Sequence, residues 1–230
     1  MTPSALNERR KSAQVWTMTI AELSFYIAMA GTVAFASSAV LSVADRKVDI
    51  FTAVVLGVIT AVGGGTVRDI ILDVQVFWAS DLSYMWVSIL ASLATFFAYR
   101  FFGRKTIRTL FLYIDGFAVA MFAVQATVKV WRLEFGLPIA PVIMGVITAI
   151  GGGLIRDVLA GRPTLLMSRE LYAIPVLLGC ILYNLILIYA PEHHFFGSVI
   201  CVIVIFGIRA AAIRWDLHVP DWATLGITKR

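Results

Sequence analysis

Residues 57–72 read GVITAVGGGTVRDIIL, and residues 145–160 read GVITAIGGGLIRDVLA. Both stretches lie inside apolar runs long enough to cross a bilayer. A triple glycine weakens a helix, because each Gly costs roughly 1 kcal/mol relative to Ala. An Arg-Asp pair follows in each copy, and ionisable residues held in lipid are expensive and mark function. Two interrupted, charged helices at matching places in two halves of a chain point to a binding or permeation site.

The 230 residues are 60% hydrophobic and 14% charged, with a mean hydropathy of +0.89. Such a chain takes the bilayer as its solvent. The formal charge of +5 is no nucleic-acid signature, since most basic residues fall in short loops between apolar runs. Cys180 and Cys201 both lie in apolar segments, so core packing is expected rather than a disulfide framework. The first 18 residues are polar, and no cleavable signal peptide is expected.

Seven spans are predicted, at about 20–43, 50–73, 83–102, 109–131, 139–160, 170–190 and 195–214. The fold class is an all-α membrane protein, since only helices satisfy the backbone of such segments in lipid. With the N-terminus outside, twelve Lys and Arg residues, Arg209 among them, fall on the inner side and four on the outer. That places the C-terminus in the cytoplasm. The triplets stand 88 residues apart, and the same offset carries Arg68 onto Arg156, Asp69 onto Asp157 and Tyr84 onto Tyr172. Phe35-Ala36 matches Phe122-Ala123 at 87. Each repeat holds three spans, an odd number, so the second copy enters the membrane inverted. The chain is then one transmembrane domain over 1–230: repeat one about 20–102, repeat two about 109–190, a seventh helix about 195–214 and a tail at 215–230.

Gly63, Gly64, Gly65, Gly151, Gly152 and Gly153 are expected to open spans two and five near their middles. Freed carbonyls and amides would then face one wet cavity. Packing alone is the competing reading, through Gly57-xxx-Ala61-xxx-Gly65 and Gly145-xxx-Ala149-xxx-Gly153. Arg68, Asp69, Arg156 and Asp157 are the buried charges at the site. Repeat symmetry suggests reciprocal pairs, Arg68 with Asp157 and Arg156 with Asp69, against local pairing or snorkelling. Lys129 lies near the outer end of span four and matches Ser42 in span one. It either faces the outer mouth as a voltage-sensitive charge or snorkels to the interface. Asp115 reads as an interfacial cap or a vestibule charge. No phosphate loop, zinc motif or nucleophile-base set is present, so the chain is not read as an enzyme, and no metal site or cofactor is expected.

The doubled GGGxxRD motif, Phe77-Trp78 after its first copy and the run LAGRPTLLMSRELYAIPVLLG after its second resemble the prokaryotic trimeric intracellular cation (TRIC) channels. The same family is also described as uncharacterised membrane proteins and as glycine transporters. The resemblance covers roughly residues 20–210. It implies seven helices, two inverted repeats, a homotrimer and one pore per protomer, lined by glycine-kinked second and fifth helices. The implied permeants are K+ or Na+, with membrane lipid as the other partner. Lys129 matches the family's basic residue of the fourth helix, linked in animal relatives to voltage-dependent block. Ser38-Ala39 and Gln125-Ala126 stand where the family pattern has a small Ser/Thr-Gly pair, which bears on pore dimensions. The function implied is a potassium-permeable channel of the inner membrane; the alternative is a secondary transporter for a small amino acid such as glycine.

Overall fold

The computed structural model describes residues 25–101, 104–167 and 171–218. Arg9, Arg10, Lys11, Glu22 and the tail beyond residue 218 lie outside them, as does the start of span one. The described residues form helices α1 (Phe25–Ser42), α2 (Ile50–Ile71), α3 (Ser83–Ala98), α4 (Arg104–Arg132), α5 (Ala140–Leu159), α6 (Ala173–Tyr189) and α7 (His194–Trp215), with short helical turns between. Six of the apolar helical stretches are long enough to cross a membrane, and α6 is a 17-residue apolar helix. The spans correspond one to one with the predicted seven.

Local chemistry explains where the central helices stop. Asp49 caps α2, its carboxylate accepting from the Thr52 amide at 2.8 Å, which holds its pKa below the usual carboxylate value. At the far end Asp73 takes a left-handed conformation (φ 51°). The Asp73 amide donates to the Ile70 carbonyl and the Val74 amide to the Asp69 carbonyl. Gly161 (φ 57°) does the same after α5, with amide bonds from Gly161 to Val158 and from Arg162 to Asp157. This is the Schellman ending, and the second copy carries the residue that adopts it at no steric cost. Arg46 adds donors to the carbonyls of Ala160 and Gly161 at 2.5 and 3.2 Å, and Arg162 donates to the Ser42 carbonyl that ends α1. Arg46 and Arg162, two of the loop arginines, thus satisfy helix ends.

The helices pack about contacts that repeat between the halves. Phe35 of α1 meets Phe122 of α4, ring centroids 5.2 Å apart. A methyl on Gly57 would strike Ser92 of α3 and the Ala36 carbonyl of α1. One on Gly145 would strike Cys180 of α6 and Thr127 and the Ala123 carbonyl of α4. These glycines let three helices converge within each repeat. The seventh helix packs on α4 and α6.

Candidate functional site

The expected interruption of α2 and α5 is absent: one helix runs from Ile50 to Ile71 and one from Ala140 to Leu159, through both triplets. The glycines serve a crossing instead. A Cβ on Gly64 would collide with the Thr148 carbonyl and stand 3.0 Å from the Gly152 nitrogen. A Cβ on Gly152 would meet the Thr60 carbonyl at 2.5 Å. The contact is reciprocal, as a two-fold axis between repeats requires. Removing the side chains at one turn of each helix lets backbone touch backbone, and the close packing and Cα–H···O contacts offset the low helix propensity of glycine. The register differs from the one read in sequence: Thr60-xxx-Gly64 meets Thr148-xxx-Gly152. Gly63 and Gly151 stand beside the crossing, with Ile155 Cδ1 3.0 Å and Gly64 Cα 3.5 Å from their ideal Cβ positions. Gly65 makes room for the Phe77 ring, and Gly153 for the Tyr172 hydroxyl.

The reciprocal ion pairs are not formed either. Arg68 Nε donates to Asp69 Oδ1 at 2.7 Å, and Arg156 Nε to Asp157 Oδ1 at 2.9 Å. With the helices unbroken, each Arg sits in a last turn, where a cation suits the dipole and no distant anion is needed. The second oxygen of each Asp pins the chain that follows. Asp69 Oδ2 accepts from the Phe77 amide at 2.9 Å, and Asp157 Oδ2 from the Leu165 amide at 3.0 Å. The Arg-Asp dipeptide therefore ties a helix end to its returning loop, eight residues on.

The third partners differ between the copies. Lys129 Nζ reaches Asp69 Oδ1 at 2.7 Å with its side chain 28% exposed, so it is paired with the first motif rather than simply snorkelling. Asp115 Oδ1 accepts from Arg156 Nη1 at 2.5 Å; it is fully buried, neither an interfacial cap nor a vestibule surface charge. One carboxylate is shared by two cations at one end, and one guanidinium by two carboxylates at the other. Arg156 also donates to Ser38 at 3.0 Å and lies 4.7 Å from the Phe111 ring centroid. Lys129→Gln should cost about 1 kcal/mol, because Arg68 still holds Asp69. Thermal melting in detergent checks this, with Lys129→Met expected to lose more.

Arg209 escaped the sequence reading. It was counted with the inner loops, yet it is fully buried in α7, stacked over Tyr172 at 4.7 Å and donating to the Leu171 carbonyl at 3.0 Å. It brings the helix outside the repeat onto the second motif. The one sequence signal was an arginine inside span seven, followed by the four apolar residues Ala210–Ile213 before Arg214.

A cavity of about 490 Å³ opens beside the second motif at the Arg-rich end. Ala44, Asp45, Arg108, Phe111, Asp157 and Arg162 border it. It reaches Asp157, and Phe111 separates it from Arg156.

The glycine transporter family model matches residues 25–100 and 112–187, one stretch per repeat. The UPF0126 inner membrane protein YadS of Escherichia coli is 36% identical over 87% of this chain and 97% of that relative. A UPF0126 membrane protein of Vibrio cholerae is 36% identical over 87% of this chain and 83% of its own length. Among solved structures, the TRIC trimeric intracellular cation channel orthologue from Rhodobacter sphaeroides superposes with a TM-score of 0.79 at 28% identity, covering 85% of this chain and 99% of that one. A second prokaryotic TRIC channel gives 0.79 at 25% identity, covering 86% and 99%. The chain belongs to the prokaryotic TRIC channel family. Like its TRIC relatives it is a multi-pass, all-α membrane protein and not an enzyme. The TRIC motif GGGxxRD now has a physical reading in this chain: two glycines for the crossing and for the returning loop, and an Arg-Asp pair that fastens that loop.

Proposed function

We propose that this protein is a passive channel for monovalent cations, potassium among them, in the bacterial inner membrane. It assembles as a homotrimer with one pathway per protomer, N-terminus outside and C-terminus in the cytoplasm. The observation that carries this reading is the cavity that enters from the Arg-rich end and reaches Asp157, five residues along α5 from the crossing residue Gly152. Beyond the crossing stand Arg68, Asp69 and Lys129, with the lysine partly exposed. Conduction requires the tight contact of α2 and α5 at Gly64 and Gly152 to loosen. Its solved relatives are cation channels. The test is purified protein in planar bilayers under asymmetric potassium chloride. Unitary currents reversing near the potassium potential are expected; their absence, together with no potassium flux from liposomes, overturns the proposal.

A cavity open at one end also suits alternating access, and the matching family model is named for glycine. Saturable glycine uptake without unitary currents would favour that second reading.

A further inference from the structure

The 490 Å³ cavity ends against one ring. Phe111 borders it, and the Arg156 guanidinium lies over the other side of that ring, 4.7 Å from its centroid. Leu41 of α1 borders it as well, and Ser38 stands three residues before Leu41, fully buried and accepting from Arg156 Nη1 at 3.0 Å. Asp115 follows Phe111 by one turn of α4, so the two share a helix face. Behind the ring lies a polar cluster of Ser38, Asp115, Arg156 and Tyr172, all buried. Three of its atoms, Asp115 Oδ2, Arg156 Nη2 and the Tyr172 hydroxyl, make no hydrogen bond to any described residue. These groups converge at Gly153. The position its Cβ would take has the Tyr172 hydroxyl at 2.8 Å, Arg156 Nη2 at 3.5 Å and Asp115 Oδ1 at 3.6 Å. The matching position on Gly65 faces the Phe77 ring, its three nearest atoms at 2.5 to 3.2 Å. Repeat one fills this place with an apolar ring. Repeat two lines it with a carboxylate that accepts, a guanidinium that donates and a hydroxyl that does both, the partners a buried water takes.

We propose that Phe111 is the barrier between the cavity and this polar cluster, and that the pathway continues past Arg156 when the ring swings aside and water enters. An apolar ring at a narrow point closes a passage by excluding water. Arg156, Asp115 and Asp157 are pinned to one another by ion pairs, whereas Phe111 turns about its side-chain bonds without breaking a hydrogen bond. This deepens the channel reading above by naming the barrier in its pathway; as a barrier to water, Phe111 rests on the geometry alone.

Ser38→Cys is the reporter, its thiol labelled by aminoethyl methanethiosulfonate, a small cation, in detergent-solubilised protein. Cys180 and Cys201 are fully buried and give the background. Asp45→Cys, at the exposed edge of the cavity, is the fast control. With Phe111 in place, Ser38→Cys should label far more slowly than Asp45→Cys. Adding Phe111→Ala should speed it about tenfold or more, the change when opening becomes about 1.4 kcal/mol easier, and leave Asp45→Cys unmoved. Gel filtration checks the fold; should the alanine variant aggregate, Phe111→Leu replaces it and must also label faster than its parent. Equal rates for the two reporters with Phe111 in place, or a Ser38→Cys rate indifferent to Phe111 in folded protein, overturn the barrier. In planar bilayers Phe111→Ala should raise unitary potassium conductance, and unchanged conductance beside faster labelling overturns its place on the pathway. Labelling that follows Phe111 in a protein that passes no current overturns the channel reading and leaves the barrier to water standing.

Discussion

Gly64→Ala and Gly152→Ala should each cost at least about 3 kcal/mol, the upper part of the range for overpacking a tight contact. The added methyl meets backbone, the carbonyl of Thr148 or of Thr60, which cannot rotate away as a side chain would. The helices must move apart along the whole crossing. Gly63→Ala and Gly151→Ala are the controls. Ile155 Cδ1 is the flexible end of a side chain, and the 3.5 Å from Gly151 to Gly64 Cα is an ordinary contact. Those variants should be neutral, or gain up to about 1 kcal/mol from helix propensity. The measurement is the fraction of protein surviving a temperature series in detergent, read by gel filtration. If Gly63 and Gly151 prove the sensitive pair, the crossing has been placed at the wrong turn.

Arg156→Met carries the second large effect. It leaves Asp115 and Asp157 buried without their shared cation, a loss of about 3–5 kcal/mol. Adding Asp115→Asn to it should recover part of the loss, since one of the two stranded charges is gone. Arg68→Met should be milder, because Lys129 still reaches Asp69 at 2.7 Å. Arg156→Lys should not rescue, for a lysine cannot supply both the Nε bond to Asp157 and the Nη1 bond to Asp115. Equal losses for the two arginine deletions would show that the third partners carry no weight.

The triplets were visible in the sequence as exceptional, but not what they do. Glycine's weak helix propensity suggested a break, since propensity is a local property and local reasoning has nothing else to weigh. The fold weighs another term, the contact made when two such turns meet, and that contact is invisible until the partner helix is known. The charges repeat the lesson. Symmetry of the repeat suggested Arg68 with Asp157, yet the neighbouring Asp was within reach, and an intact helix gave the Arg a favourable C-terminal place. Sequence alone puts Asp115 and Arg209 near the surface, whereas both are fully buried, because single residues in an apolar run carry no label for the face they occupy. The helix periodicity places a side chain on a face only once the neighbours of that face are assigned.

Seven apolar segments, their doubling at an 88-residue offset and the polar ends that close them are written in the chain itself, since transfer from water and helix geometry act on each segment in place. Which buried cation holds which carboxylate, and whether glycine parts a helix or joins two, was settled only by assembly. Those outcomes depend on close contacts between groups more than forty residues apart in sequence, from Asp115 to Arg156 and from Gly64 to Thr148.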